Sequence, residues 1–499
     1  MMKKARWPVR VDFDTSSLAS YRDFLKLKKL PTYAWQGSSA VVPDEYAAQF
    51  TGRKSKKRSS RYAPSEFLFD YQRDIAAMAI LKQKFAVFAE CGLGKTLILL
   101  EFAKHAAKSN RGQCVLIVSP LMVIPQTISE AKRFYPDLEI EQIPAAGLQD
   151  WLNLGSGIGV TNYEAIREGL ESGKLAGLIL DESSLLKSHY GAWGTRLIDL
   201  GRGLEWKLAL TGTPAPNDRI EYANHAVFCD HFRTVNEFLA RYFVNRGQTD
   251  NRWELKPHAL RPFYRDLSHW CIFLSNPAVY GWKDNCENIP PIHVHIEHVD
   301  LTAEQRREVQ SLTGGLFVKE AGGIGTRGKL SQLAKGKANG EDIATEKPEF
   351  IRNLVNSWPE ESTLIWCHYN AEQESMERVF PDAASITGDT PLDDRVRMID
   401  DFKAGRDRVL ISKPKILGFG LNLQIATRQV FSGLQDSYEE FHQAVKRSNR
   451  IGSTKPLNVH IPVTEIEVPM IQTVLAKADR VQHDTEEQER LFKELRMQA

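Results

Sequence analysis

Cysteine is sparse in this chain: six among 499 residues, at positions 91, 114, 229, 271, 286 and 367. None stands in a Cys-x-x-Cys spacing, which argues against a disulfide framework or a zinc module and for reduced thiols. Long apolar runs are missing too, and nothing approaches the roughly eighteen consecutive apolar residues of a membrane span. The first residues, Met1-Met2-Lys3-Lys4-Ala5-Arg6, carry charge with no apolar run behind them, so they do not read as a signal peptide. An excess of one charge sign is also lacking, since 65 Lys and Arg nearly cancel 63 Asp and Glu. That balance says little about partners, because a neutral protein can concentrate its cations in one cleft.

What is present is the composition of a globular protein, 42% hydrophobic and 26% charged, on a chain long enough for two or three domains. Residues 1–62 show no clear period and end in the basic run Arg53-Lys54-Ser55-Lys56-Lys57-Arg58-Ser59-Ser60-Arg61. Such a run reads as a solvated loop or as a phosphate-contacting segment.

From about residue 64 the pattern is α/β. Short Val-, Ile- and Leu-rich runs at 85–88, 114–118, 157–160, 178–180 and 208–210 read as buried parallel strands. Helix-period segments such as 97–108 and 126–134 lie between them. The rhythm resumes after residue 347, with strands expected at 363–367, 384–386, 408–411, 429–431 and 457–463. Residues 216–345 are aromatic-rich and mostly helical in pattern, ending in a Gly- and Lys-rich stretch. The expected organisation is therefore an N-terminal extension (1–62), an α/β lobe (63–215), a helical insertion and linker (216–345), a second α/β lobe (346–478) and a C-terminal helix (479–499).

Directly after the first of these strands comes Ala89-Glu90-Cys91-Gly92-Leu93-Gly94-Lys95-Thr96, which then opens a helix. Small residues let the backbone wrap a phosphate, with N–H groups and the helix N-terminus aimed at the anion. Lys95 would reach the β- and γ-phosphates of ATP and Thr96 would ligate Mg²⁺. Ala89 stands where the strict pattern has its first glycine. A second element, the acidic pair Asp181-Glu182, ends the strand Leu178-Ile179-Leu180. Asp181 would hold Mg²⁺ and Glu182 would orient and deprotonate the attacking water. Next comes Leu210-Thr211-Gly212-Thr213-Pro214, whose hydroxyls could sense the acidic pair.

The later half supplies cations for a developing γ-phosphate charge. In Gln443-Ala444-Val445-Lys446-Arg447-Ser448-Asn449-Arg450, the residues Gln443, Arg447 and Arg450 fall at i, i+4 and i+7, the spacing of one helical face. If ATP lies between two lobes, closure on binding and opening on release would grip a nucleic-acid strand alternately.

In this order the residues resemble the superfamily-two helicases, specifically their Swi/Snf-type DNA translocase branch, over about residues 64 to 478. Leu68-Phe69-Asp70-Tyr71-Gln72 is similar to the adenine-reading Q motif, with Gln72 as reader. Residues 89–96 resemble motif I, and Val118-Ser119-Pro120 motif Ia. Thr161-Asn162-Tyr163-Glu164 resembles motif Ib, Asp181-Glu182 motif II, and 210–214 motif III. Motif IV is matched by Leu364-Ile365-Trp366-Cys367-His368, motif V by Gly418-Phe419-Gly420-Leu421-Asn422-Leu423, and motif VI by 443–452. The resemblance implies two RecA-like lobes, with Ala89, Gly92, Leu93, Gly94 and Gly420 also lining the nucleotide. Ser119, Pro120, Thr161, Asn162, Tyr163, His368 and Asn422 are implied at the nucleic acid, with duplex DNA the expected partner.

Two departures narrow the resemblance. The family usually carries Trp-Asn-Pro before motif VI, where this chain has Asp436-Ser437-Tyr438-Glu439-Glu440, and its Asp-Glu-x-His is Asp181-Glu182-Ser183-Ser184 here. Both look like the compact helicase-type proteins of bacteriophages, which implies the cytoplasm of a bacterial or phage-infected cell. Since both halves of the catalytic centre lie in one chain, a monomer would suffice for catalysis. A strand-separating DNA or RNA helicase and a nucleotide-gated DNA clamp with little turnover stay open as alternatives.

Overall fold

The computed structural model describes residues 9–30, 33–42, 49–50, 62–187, 191–247, 253–285, 288–313, 324–338, 340–417, 421–433 and 437–497. The basic run 53–61 and Gly418–Gly420, including the expected nucleotide residue Gly420, lie outside these residues. The chain divides into two compact units. One holds Met1–Glu90, Gly94–Lys283 and Glu487–Ala499, and the other Cys91–Leu93 and Asp284–Glu486.

The first unit opens with a small three-stranded antiparallel sheet, β1 (Val9–Asp12), β2 (Ala34–Gln36) and β3 (Ser39–Val42), ordered β1-β3-β2. The helix Leu18–Lys29 lies in the same module, and Ser17 caps it by accepting from the Ser20 N–H. Leu27 and Leu30 of this region join Val11, Ala40 and Val42 in a small core of its own. The sequence pattern alone did not reveal this module, because strands of three and four residues are too short to establish a period.

The main sheet of this unit has seven strands. They are β4 (Lys84–Ala89), β5 (Cys114–Ser119), β6 (Ile140–Gln142), β7 (Gly157–Asn162), β8 (Leu175–Asp181), β9 (Trp206–Thr211) and, after the hairpin β10 (Phe243–Asn245) and β11 (Trp253–Leu255), β12 (Cys271–Leu274). The order is β12-β4-β9-β8-β5-β7-β6, and every pairing is parallel. All residues of β5, β8 and β9 are buried, as continuous apolar runs require when helices cover both faces. Each of the five strands expected here forms, extended by one to three residues at one end or both.

The second unit repeats the plan. Its six strands are β13 (Ile292–His298) and, after the short hairpin β14 (Lys337–Ala338) and β15 (Glu341–Asp342), β16 (Thr363–Trp366), β17 (Ala384–Ser385), β18 (Val409–Ser412), β19 (Arg428–Phe431) and β20 (Leu457–Val463). They run β13-β20-β19-β16-β18-β17, again parallel throughout. Two α/β lobes with parallel sheets are therefore present, as the alternation of strands and helices implied. The stretch 216–345 is not simply a helical spacer, because it supplies an edge strand to each sheet, β12 to the first and β13 to the second.

A buried ion pair marks the second unit. Lys347 Nζ lies 2.6 Å from Glu467 Oε2, with both side chains only 2% exposed, and also donates to the Ser432 carbonyl at 2.8 Å. Thr464 donates to the same carboxylate oxygen through its N–H at 3.0 Å and its hydroxyl at 2.9 Å. Removing one partner strands the other charge away from water. Glu467→Ala should therefore cost about 3–5 kcal/mol, read as a lowered thermal-unfolding transition. The apolar replacement K347M/E467L should recover most of that loss, and a double variant as unstable as E467A would contradict the assignment.

Candidate active site

The loop between β4 and the helix Lys95–Ser109 turns twice through left-handed backbone, at Gly92 (φ +90°) and Gly94 (φ +65°). Side chains resist that region, and a Cβ on Gly94 would also collide with the Gln72 amide. Gly94 is the residue that precedes the helix, so the first free N–H groups of the helix follow it directly. Lys95 folds back over the loop, its Nζ donating to the carbonyls of Ala89 at 2.9 Å and Glu90 at 3.4 Å. Gln72, on the helix Asp70–Lys82, is almost fully buried. Its Oε1 accepts from the Phe69 N–H at 3.0 Å and its Nε2 donates to the Gly94 carbonyl at 3.4 Å. The Q-motif helix is thereby tied to the phosphate loop.

Asp181 ends β8, and Glu182 follows in a left-handed conformation with φ +50°, uncommon for a residue with a side chain. Both carboxylates are buried. The Ser119 hydroxyl donates to Asp181 Oδ2 at 3.0 Å, and the Glu182 N–H to Asp181 Oδ1 at 3.1 Å. The Thr211 hydroxyl reaches Glu182 Oε2 at 3.4 Å and accepts from the Thr213 N–H at 3.1 Å. Thr211, the last residue of β9, thus touches the water-positioning candidate. Burial, and then the charge of Glu182 beside it, push the Asp181 carboxyl up to about 6, against opposing pulls from the Ser119 hydroxyl and the Lys95 ammonium. Two buried carboxylates of like charge are the setting that a divalent cation neutralises.

Three residues assigned by resemblance to nucleic acid are placed inward. Ser119 is spent on Asp181, the Thr161 hydroxyl on the Ile143 carbonyl at 2.8 Å, and the Tyr163 hydroxyl on the Asp181 carbonyl at 2.6 Å. All three side chains are buried. They brace the ends of β5, β7 and β8, and of that group Pro120, Asn162, His368 and Asn422 keep side chains at least partly exposed. Asn162 Oδ1 accepts from the Ala165 N–H at 2.9 Å. His368 is held neutral, its imidazole pushed down to about 3 by burial and by the charges of Lys335, Lys415 and Lys413.

The arginine element needs a correction. Its helix, Tyr438–Val445, ends before Arg447, so Gln443, Arg447 and Arg450 do not share one helical face. Contacts with distant residues hold the turn that follows. The Leu423 N–H donates to the Arg447 carbonyl at 3.0 Å, Gln429 Nε2 to the Ser448 hydroxyl at 2.8 Å, and Asn449 Nδ2 to the Pro290 carbonyl at 2.7 Å. Gln443 and Arg447 are buried, whereas Arg450 is half-buried with a guanidinium N–H 3.4 Å from the Leu421 carbonyl.

The sequence reasoning passed over one pair beside the acidic element. The Ser183 hydroxyl and His225 Nε2 are 3.0 Å apart and buried. Burial drives the His225 imidazole down to about 4. Nothing in the spacing of residues 183 and 225 signals this contact.

The family model for the SNF2-related domain matches residues 80–345, and that for the helicase conserved C-terminal domain matches 346–452. The chain belongs to the SNF2-related family. It is a Swi/Snf-type, helicase-class ATPase, and the family's use of ATP agrees with the phosphate loop. Among relatives, the putative protein p41 of Acyrthosiphon pisum secondary endosymbiont phage 1 is 25% identical over 75% of this chain and 88% of its own length, in keeping with the compact phage form. The mouse DNA annealing helicase and endonuclease ZRANB3 is 24% identical over 79% of this chain. The ATP-dependent DNA helicase DDM1 of Arabidopsis thaliana is 22% identical over 74%. This SNF2-related chain spans 38% of the former protein and 55% of the latter. The solved Sulfolobus solfataricus SWI2/SNF2 ATPase core in complex with dsDNA covers 87% of the chain, and 98% of that core is matched, at 19% identity with a TM-score of 0.40. No helix among the described residues is long and apolar enough to cross a membrane.

Proposed function

We propose that this SNF2-related chain is a double-stranded DNA translocase that hydrolyses ATP between its two lobes and moves along duplex without separating the strands. The observation that carries the reading is the buried pair Asp181–Glu182, oriented by Ser119 and Thr211 in the unit that also holds Lys95 and Thr96. Its relatives include proteins named as DNA helicases, which supports DNA as the track.

In this reading the N–H groups after Gly94 hold the phosphates, and Lys95 exchanges its carbonyl partners for the β- and γ-oxygens. Gln72 presents its amide to the adenine. Asp181 and the Thr96 hydroxyl are hard oxygen donors suited to Mg²⁺, and the raised Asp181 carboxyl fits a site that gains from a cation. Bound there, Mg²⁺ would neutralise charge on the β- and γ-phosphates. Glu182 orients the attacking water and takes its proton. Arg450, Arg447 and Gln443 are the candidates that supply charge and a polar contact to the γ-phosphate from the second lobe. Pro120, Asn162, His368 and Asn422 meet the DNA backbone, so binding follows duplex shape and charge and shows no recognition sequence.

The test is ATP turnover with duplex DNA, single-stranded DNA and RNA, beside displacement of a triplex-forming strand. Stimulation by intact duplex with triplex displacement is expected. Unwinding of a forked duplex with no triplex displacement would make the chain a strand-separating helicase, and turnover at background on every substrate would make it a clamp. Lys95→Ala should abolish turnover and weaken ATP binding, measured by nucleotide titration. Retained turnover would remove Lys95 from the site.

A further inference from the structure

The acidic element is anchored from outside its own strand by one helix, and the ATPase reading gives that anchor no task. Ser183, the residue after Glu182, opens the turn Ser183–Lys187, and its hydroxyl lies 3.0 Å from His225 Nε2. His225 stands on the helix Tyr222–Phe228. Asn224 of the same helix donates to the Leu186 carbonyl at 2.7 Å, so the turn is fastened to the helix at two points. Glu221, just before the helix, accepts from the Asn217 N–H at 2.9 Å and from the Asn217 side-chain amide at 3.0 Å. One short stretch, 221–225, therefore grips the chain beyond both Glu182 and Thr213. The His225 ring also packs edge-on against Phe88, with centroids 5.2 Å apart, on the strand that leads into the phosphate loop.

Glu182 needs such an anchor. Its backbone is left-handed at φ +50°, a region that side chains resist. Among the described residues its carboxylate takes one hydrogen bond, the long one of 3.4 Å from Thr211. The direction of that carboxylate is therefore set by the backbone that carries it. Before Glu182 the Tyr163 hydroxyl holds the Asp181 carbonyl at 2.6 Å, and after it His225 holds Ser183. Ser183 and His225 are fully buried, and burial keeps the imidazole neutral, with its pKa pushed down to about 4. The bond therefore keeps one protonation state at neutral pH. Packing alone does not call for it, since an apolar pair of similar volume would fill the space without desolvating two polar groups. What the hydrogen bond adds is direction.

We propose that His225 is a positioning residue for ATP hydrolysis, acting through the Ser183 hydroxyl to aim the Glu182 carboxylate at the attacking water. The inference rests on the reading of Glu182 as the group that orients that water.

Steady-state turnover of the full chain is measured over a range of ATP, with nucleotide titration and thermal unfolding in parallel. H225F keeps a ring against Phe88 and removes the hydrogen bond, whereas S183A removes one oxygen and leaves the imidazole. Each should lower kcat by about 10–10²-fold while ATP affinity changes by less than about twofold. The double variant H225F/S183A should be no slower than the slower single one, because both remove the same interaction. H225Q sets an amide near the place of Nε2 and should recover most of the rate. In the E182Q background S183A should cost nothing further. Parent turnover in S183A would overturn the proposal, as would multiplied losses in either double variant, an H225Q as slow as H225F, or ATP affinity falling as far as kcat. S183A and its E182Q combination decide the matter if the ring variants unfold. Parent turnover in E182Q would overturn the reading of Glu182 itself, whereas a slow E182Q beside a fast S183A removes the positioning role alone.

Discussion

Replacing Arg450 by alanine should lower kcat for ATP hydrolysis by about 10³-fold or more while ATP affinity falls far less. An arginine that meets charge developing on the γ-phosphate acts in the transition state, so its loss appears in kcat before it appears in ground-state binding. Of the two candidates, Arg450 gives the cleaner experiment. Arg447 is buried in the turn after the helix Tyr438–Val445, so truncating its side chain would also disturb packing. Arg450 is half-buried with one long contact to the Leu421 carbonyl. Steady-state turnover together with nucleotide titration decides the matter. Equal losses in kcat and affinity would make Arg450 an ATP-binding residue, and no loss would remove it from the chemistry.

Glu182→Gln should leave ATP binding intact, reduce hydrolysis by about 10²–10⁴-fold, and hold the ATP-bound protein on DNA. The substitution is nearly isosteric. Gln can occupy the same left-handed backbone position as Glu182 at similar cost, and it can still accept from the Thr211 hydroxyl. Only the base and the charge are lost. The change also relieves Asp181, whose carboxyl is raised first by burial and then by the Glu182 charge. Rapid-quench measurement of the hydrolysis step, with DNA retention measured in parallel, reads both halves of the expectation. Wild-type turnover in this variant would mean that another group positions the water.

The legible part of this protein consisted of local, dense signals. The β5 run Cys-Val-Leu-Ile-Val-Ser and the β8 run Leu-Ala-Gly-Leu-Ile-Leu-Asp are apolar throughout because both faces of those strands are covered, and that pattern needs no partner to be recognised. The phosphate loop is equally local, since left-handed turns at Gly92 and Gly94 demand glycine wherever the chain goes next. β6, β12 and β13 escaped notice because short or edge strands carry weaker patterns. β13 alternates Ile-His-Val-His-Ile-Glu-His, with Val294 and Ile296 left partly exposed, unlike any buried strand of either sheet. Helical spacing placed Arg447 and Arg450 on a helix that in fact ends at Val445.

By itself the order of residues determined the α/β alternation, the phosphate loop, the acidic strand end and, through their succession, the family. Each depends on neighbours a few positions apart, where backbone preference and side-chain period act directly. Tertiary structure decided what the side chains touch. It turned Ser119, Thr161 and Tyr163 inward, set Ser183 against His225, and set Trp35 beside Phe13 and Phe24 on an exposed face. Those outcomes depend on residues brought together from distant points in the chain. Burial and hydrogen bonding there reward the packed arrangement, and spacing along the sequence leaves no trace of it.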